Sequence, residues 1–535
     1  MKKSFYFILS GVLLAASWPT YGFPLLIFFA FVPMLIGIEH LLVSGLKKKA
    51  LRVFGLSYLT FFIWNFITTY WLLYASEIGG WFAILVNSLL MALIMLVYFT
   101  VRKRNTQSAG LLFLATFWIA FEKFHLNWDF SWPWLNLGNV FATYPEWIQW
   151  YEYTGSFGGS LWIWLVTALM VKSLSKGLQP SPKAYLKKVL FPFAVLFLPI
   201  AYSYAVYVNY KEDANHVNVI ALQPNIDPYA EKYFVTNKTV FEKLYGLSKD
   251  KIDEHTDFWI APETVFAKGT RMRTLESAPE MQGIDSLSGK YPKLQILTGI
   301  SLFETFPNQT LAGDQANHIQ RMNGDTIWYK DYNSALFKQH GASPKLYHKS
   351  KLVVGVETVP YPKVFKFFLG NFMIDLGGTL SVKSTQENRE VFHSHDDSHR
   401  VAPIICYESV YGEYVTGYVQ NGADFLAIIT NDAWWNESEG HKQHLNYARI
   451  RAIETRRSIA RSANTGISAI INQRGDIEKS LAYNTAGALK GTLNTNEELT
   501  FYVQYGDYIA RISILMASLI LLLSFFRKKK LEPKK

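Results

Sequence analysis

Cysteine occurs once in 535 residues, and charged side chains make up only 18% of the chain. A single thiol cannot close an internal disulfide, and it brings no second sulfur to a tetrahedral zinc site. The sequence has no GxxxxGK phosphate loop, no HExxH motif and no internal repeat. P-loop NTPases, zincin-type proteases and solenoids are thereby set aside. The net charge of +11 does not read as a nucleic-acid footprint, because it is concentrated in short segments between apolar stretches.

The sole cysteine lies in Pro403-Ile404-Ile405-Cys406-Tyr407-Glu408-Ser409. The apolar run from Val401 to Ile405 reads as a buried β-strand ending at the thiol. Two readings follow. Cys406 is either a small buried hydrophobe or a nucleophile, for which one thiol suffices.

Half of the chain is hydrophobic and 16% is aromatic. That average hides a division: residues 1 to about 208 are very apolar, about 212 to 505 have globular composition, and about 509 to 526 are apolar again. Eight runs approach the ~20 residues needed to cross a bilayer: 5–21, 24–43, 52–74, 80–101, 109–124, 158–176, 188–208 and 509–526. Glu122 and Lys123 closely bound the fifth. Every second connection is basic: Lys2 and Lys3; Lys47, Lys48, Lys49 and Arg52; Arg102, Lys103 and Arg104; Lys172, Lys176, Lys183, Lys187 and Lys188; and Arg527 onward. This alternation puts both termini in the cytoplasm and the long polar segment outside it. Ala15-Ala16-Ser17 after an apolar run also resembles a signal-peptide end. An uncleaved first helix fits the alternation better. The stretch Trp128-Asp129-Phe130-Ser131-Trp132-Pro133-Trp134 suits the membrane interface.

In the polar segment, strand-like runs (Val217–Leu222, Phe258–Ala261, Leu294–Ile300, Phe425–Thr430) alternate with helix-like ones (Val235–Lys251, His441–Ala463). The pattern predicts an α/β layered domain. The expected organisation is a seven-helix membrane domain (1–210), an extracytoplasmic α/β domain (211–506), and a last transmembrane helix with a basic tail (507–535).

Three chemical groups stand out: Glu263 in Trp259-Ile260-Ala261-Pro262-Glu263, Lys349 in Leu346-Tyr347-His348-Lys349-Ser350-Lys351-Leu352-Val353, and Cys406. A free thiol is mostly protonated near neutrality, so a thiol nucleophile needs a base or a cation nearby. A carboxylate can take its proton, and a lysine can stabilise the thiolate and the later oxyanion. The sulfur is expected to be ionised between the two. Spacing alone does not bring the three together.

These segments resemble the nitrilase (carbon–nitrogen hydrolase) superfamily, and the added membrane helices resemble its apolipoprotein N-acyltransferase family. The similarity also runs through Trp132-Pro133-Trp134-Leu135, Gln223-Pro224-Asn225-Ile226, Tyr332-Asn333-Ser334-Ala335-Leu336, Cys406-Tyr407-Glu408, Asn431-Asp432-Ala433-Trp434 and Arg461-Ser462-Ala463-Asn464-Thr465-Gly466. The resemblance implies a nitrilase-like αββα sandwich beside a polytopic α-helical membrane domain. It implies Glu263 as general base, Lys349 as electrostatic stabiliser and Cys406 as nucleophile. Glu357 would hold the lysine or assist proton transfer, the Tyr407 backbone N–H would help bind the oxyanion, and Glu408 would support the pocket. Tyr233 falls near a family tryptophan on a mobile loop, and Trp434 matches a family tryptophan near the site. The chain departs from the family at Val354-Gly355-Val356, where Pro-Phe-Gly is usual, and at Lys351, where His is frequent. Tyr347 and Leu352 set a register that selects Lys349 over Lys351.

The activity so implied is transfer of a fatty acyl chain from a membrane phospholipid, through a Cys406 thioester, to the N-terminal amine of a diacylglyceryl apolipoprotein. The setting is the bacterial inner membrane. No metal or organic cofactor is implied. The polar-poor run from Val364 to Ile374, with Phe367 and Phe368, is expected to dip into the outer leaflet as a lipid entrance. Two other classes stay open: a membrane-anchored nitrilase-type amidase acting on a small soluble substrate, and a non-catalytic membrane scaffold.

Overall fold

The computed structural model describes residues 2–175, 182–321, 324–361 and 382–527. The 364–374 run, with Phe367 and Phe368, lies outside the described residues. The chain divides into two compact units, one of Met1–Asn209 with Tyr505–Lys535 and one of Tyr210–Gln504.

The first unit is helical. Among its described residues, six helices are long and apolar enough to cross a membrane: Pro24–Val43, Lys49–Thr69, Glu77–Arg102, Ser156–Leu174, Leu190–Asn209 and Tyr508–Phe525. The first helix, Lys2–Ser17, stops short of the expected 21, because Pro19 follows and cannot continue it. Gln107–His125 is also a helix, but Glu122 and Lys123 lower its hydropathy. Its polar groups are paired, as a low-dielectric interior demands. Glu122 accepts from Leu137 N and Ser160 Oγ at 2.7 Å each and from Trp118 Nε1 at 3.1 Å. Lys123 meets Asp507 at 2.8 Å, which ties the last helix to this one. Trp128 Nε1 donates to His125 Nδ1, leaving the His125 Nε2–H to donate to Asn87, which in turn donates to Asn65. The tryptophan-rich stretch is not a simple interfacial belt. Trp134 is buried, stacked on Trp132 and packed against Trp71.

The second unit is built on two sheets. The first contains β1 (His216–Gln223), β2 (Phe258–Ile260), β3 (Phe266–Arg271), β4 (Gln295–Phe306), β5 (Asn317–Gln320), β6 (Thr326–Lys338) and β7 (Lys345–His348). The second contains β8 (Phe392–His393), β9 (Arg400–Ile405), β10 (Phe425–Thr430), β11 (Ile459–Ala463), β12 (Ala469–Ile471) and β13 (Ile477–Ser480). β14 (Gly487–Asn494) returns to the first sheet, whose order is β14-β1-β2-β4-β6-β5, with β3 on β4 and β7 on β6. The second runs β13-β12-β11-β10-β9-β8. Strands β1, β2 and β4 are parallel, as are β9, β10 and β11.

The sheets face each other: Ser462 Oγ donates to Leu222 O at 2.7 Å, and Phe258 meets Phe425 edge-on at 5.0 Å. Helices Asn237–Ser248 and Pro279–Lys290 cover the first sheet through Val240, Leu244, Met281, Ile284 and Leu287, which share a core with Ile220, Trp259 and Ile296. Gly412–Gln420 and Glu439–Thr455 lie on the side of the second, the former packed on β9 and both packed together. The result is the expected αββα sandwich.

One expected element is corrected. The helix predicted over His441–Ala463 ends at Thr455, and Ile459–Ala463 is β11. Arg456 takes the left-handed conformation at φ 49° and stops the helix. Every residue of β11 is buried, so it shows no in–out alternation for a reader to find.

Candidate active site

Parallel strands deliver their C-terminal ends to one edge of a sandwich, and three chemical groups arrive there. Glu263 follows β2, Lys349 follows β7, and Cys406 follows β9. Lys349 Nζ lies 2.9 Å from Glu263 Oε1 and 2.9 Å from Glu357 Oε2. Asn333, on β6, donates from one amide nitrogen to Glu263 Oε1 and to Glu357 Oε1, both at 2.8 Å. The Asn333 main-chain carbonyl also accepts from the Lys349 backbone N–H. The second oxygen of Glu263 accepts from Asn431 N at 3.1 Å, and that of Glu357 from Val353 N at 2.8 Å. All four side chains are buried.

Lys351 is placed elsewhere, with its ammonium 5.0 Å and 5.6 Å from the ring centroids of Tyr411 and Tyr414.

Cys406 opens a one-turn 3-10 helix, Cys406–Val410, at φ 49°. A non-glycine residue in that region is strained and must be held there. Two groups hold its carbonyl: Ser409 Oγ donates at 2.7 Å, and a His444 ring nitrogen lies at 3.3 Å. Glu408 fastens the turn from below. It accepts from Ile405 N (2.9 Å), Ser350 N (2.8 Å), Tyr347 OH (2.6 Å) and Tyr418 OH (3.2 Å). Tyr407 is buried, edge-on to Tyr411.

The electrostatics follow from burial and neighbours. Burial alone would raise the Glu263 carboxyl, but the Lys349 ammonium, with Lys232 and the Asn333 amide, holds it below its ordinary value. Burial opposes the charge on Lys349; Glu263 and Glu357 outweigh it and hold the ammonium well above its usual value. Burial pushes the Cys406 thiol up, Glu263 adds to that, and Lys349 opposes it without reversing it. The resting sulfur is therefore a neutral thiol, not the ionised group expected from sequence. Desolvation outweighs the single favourable ammonium, which two carboxylates already share.

Several groups at the site were not singled out from sequence. Asn333 stood in a recognised motif but without a role. Lys232 is buried, and its ammonium donates to Thr264 Oγ1 at 2.6 Å. It lies 5.9 Å from the Tyr233 ring and 5.8 Å from the Trp434 ring. Tyr233 itself is half exposed, and Trp434 packs edge-on to Tyr229 at 5.3 Å. On the other side of Cys406, its sulfur, a carboxylate oxygen of Asp432 and a ring nitrogen of His444 lie within 4.8 Å of one another. Arg461 lies 2.6 Å from Asp432 Oδ2 and 3.1 Å from His444 Nδ1. Its guanidinium already supplies there the positive charge that a metal ion would bring.

An αββα sandwich with a thiol at the end of one strand, and a carboxylate and an ammonium at the ends of two others, is the architecture of the nitrilase class. A carbon–nitrogen hydrolase family model matches residues 216–498, and the chain belongs to that family. A model of the apolipoprotein N-acyltransferase N-terminal domain matches residues 10–169. A Chlorobaculum tepidum protein named apolipoprotein N-acyltransferase is 27% identical over 539 residues, covering 99% of this chain and 98% of its own. A Thermotoga maritima protein of the same name is 27% identical over 545 residues, covering 99% and 95%. Among solved structures, an amidase from Nesterenkonia sp. is 13% identical, with a TM-score of 0.35, covering 55% of this chain and 94% of its own. The full-length relatives are bacterial, and with the apolar helices they mark the chain as a bacterial membrane protein.

Proposed function

We propose that this chain is an acyltransferase that moves a fatty acyl group from a membrane phospholipid to the N-terminal amine of a diacylglyceryl apolipoprotein. Residues 211–506 form its extracytoplasmic catalytic domain. Residues 1–210 and 507–535 anchor it, with both termini in the cytoplasm as the alternation of basic connections directs.

Two half-reactions suffice. In the first, Glu263 accepts the Cys406 proton as sulfur attacks the ester carbonyl. Lys349 and the Tyr407 N–H stabilise the oxyanion. The carbon–oxygen bond breaks, the lysophospholipid oxygen takes the proton from Glu263, and a thioester remains. In the second, the acceptor amine attacks the thioester and gives a proton to Glu263. The carbon–sulfur bond breaks, and the departing sulfur recovers the proton. Glu357 and Asn333 keep Lys349 and Glu263 in register throughout, and Glu408 keeps the Cys406 turn in place. Tyr233 and Trp434 border the entrance and contact substrate.

One observation carries this reading over a soluble amidase: a single chain joins the hydrolase unit to membrane helices at both of its ends. Substrates anchored in the same bilayer then meet the thiol at high effective concentration. Intact-mass measurement after incubation with phospholipid vesicles tests it. The chain should gain one fatty-acyl mass, removable by hydroxylamine, and lose it to a diacylglyceryl lipopeptide. Hydrolysis of small amides with no acyl adduct would favour the amidase instead.

A further inference from the structure

Lys232 sits where burial physics would not put a lysine. In the segment from Asp227 to Val235, Tyr229, Tyr233 and Phe234 are 57%, 52% and 74% exposed, whereas Lys232 is 6% exposed. Aromatic side chains face out and the ammonium faces in, the reverse of the usual order. The local backbone is built for this. Asp227 Oδ1 accepts from Tyr229 N and Ala230 N, and Asp227 O accepts from Lys232 N at 2.9 Å. Among the described residues, Thr264 Oγ1 is the one hydrogen-bond acceptor of the ammonium. Thr264 directly follows Glu263 and is itself held in the left-handed region at φ 42°. A buried charge with so few partners is costly unless opposite charge lies near.

That opposite charge is in the active site. Two carboxyl groups, Glu263 and Glu357, share the single ammonium of Lys349. One further cation balances the cluster.

We propose that Lys232 is this second active-site cation, a positioning residue that keeps Glu263 ionised and holds the strained turn at Thr264. The assignment rests on the reading of Glu263 as proton acceptor. The charged and titratable groups facing Glu263 are Lys349, Glu357, Lys232, Cys406 and Tyr233. Asp432, His444 and Arg461 face Cys406 from the far side, and Asp331 is paired with Lys383 at 2.7 Å. Burial lowers the Lys232 ammonium to about 8, against the opposing pull of Glu263, so it remains cationic at neutral pH. Lys232 in turn contributes to the lowered Glu263 carboxyl.

The test uses the full chain in detergent micelles. The rate of acyl-enzyme formation from an activated fatty-acyl ester is followed from pH 3 to 9, because the lowered Glu263 carboxyl puts the acid limb below the usual carboxylate value. Lys232→Met should move the acid limb of that profile upward by about one pH unit, the scale of losing one nearby opposite charge. Its rate should return to within a few-fold of wild type at high pH. Thr264→Val, which removes the hydrogen bond but keeps the charge, should leave the limb in place. A Lys232→Met profile lowered equally at every pH, with the limb unmoved, would overturn the proposal. Should that variant not fold, Lys232→Gln carries the same test. Failure of the underlying reading has a separate signature: Glu263→Gln would then still form the acyl-enzyme.

Discussion

The hydroxyl of Tyr347 donates to Glu408 at 2.6 Å. Through this bond the turn that begins at Cys406 is fastened to β7, the strand that Lys349 directly follows. The two residues are 61 positions apart, and the bond joins the segments that carry Cys406 and Lys349. Glu408→Gln replaces one acceptor oxygen by a donor that faces other donors. The expected cost is about 1–3 kcal/mol of stability for a buried group left unpaired. Acyl-enzyme formation should slow as well. Thermal melting and burst kinetics on the same sample check both.

Lys349 and Lys351 are expected to part company. Lys349→Met leaves two buried carboxyl groups without their shared ammonium and should cut acyl transfer by at least ~10²-fold. Lys351→Met loses contacts over Tyr411 and Tyr414, worth about 0.5–1 kcal/mol, and should keep activity within a few-fold. Turnover of the two variants side by side decides the register.

The thiol should behave as a neutral group at rest. Its alkylation by iodoacetamide should be slow at pH 7 and still rising at about pH 10, where an ordinary thiol has levelled off. Glu263 is one cause of that elevation. Glu263→Gln should therefore make the resting sulfur easier to alkylate while abolishing acyl transfer. Opposite changes in the two rates are the expected result.

Asp432 offers a stability test with a definite sign. Burial would raise its carboxyl, but Arg461 and His444 hold it below the usual range. A depressed carboxyl contributes stability above the unfolded-state value and loses it as pH falls through the folded one. Asp432→Asn should lower stability at neutral pH, and the deficit should shrink below about pH 4. Denaturant melts at pH 7 and pH 3.5 measure it.

In the helical unit, Asp507→Asn removes the carboxylate that Lys123 meets at 2.8 Å. Breaking this mostly buried ion pair should cost on the order of 3 kcal/mol. The double variant Lys123→Met, Asp507→Leu should recover most of it. A double-mutant cycle on the melting of the detergent-solubilised chain measures the coupling.

Much of this molecule was legible in its sequence because some forces act locally. Hydrocarbon thickness and apolar run length located the helices, and strand-like runs ending in Glu263 and Cys406 marked two corners of the site. Motif resemblance supplied Lys349 and Glu357. Where burial is complete, local pattern failed. Ile459–Ala463 carries no alternation because both of its faces are covered, and it read as more helix. Lys232 was not singled out, since nothing in neighbouring residues says that the loop turns it inward.

The chain by itself determined which groups are available: one thiol, its strand, and the carboxylates and lysines that could serve it. Only the tertiary structure decided which of them meet. Lys349 reaches Glu263 across 86 residues, and Asn333 joins both carboxylates from a third strand. Protonation was decided there too, because the charge of a thiol depends on the water it has lost and the ions around it, and neither is written in its own segment.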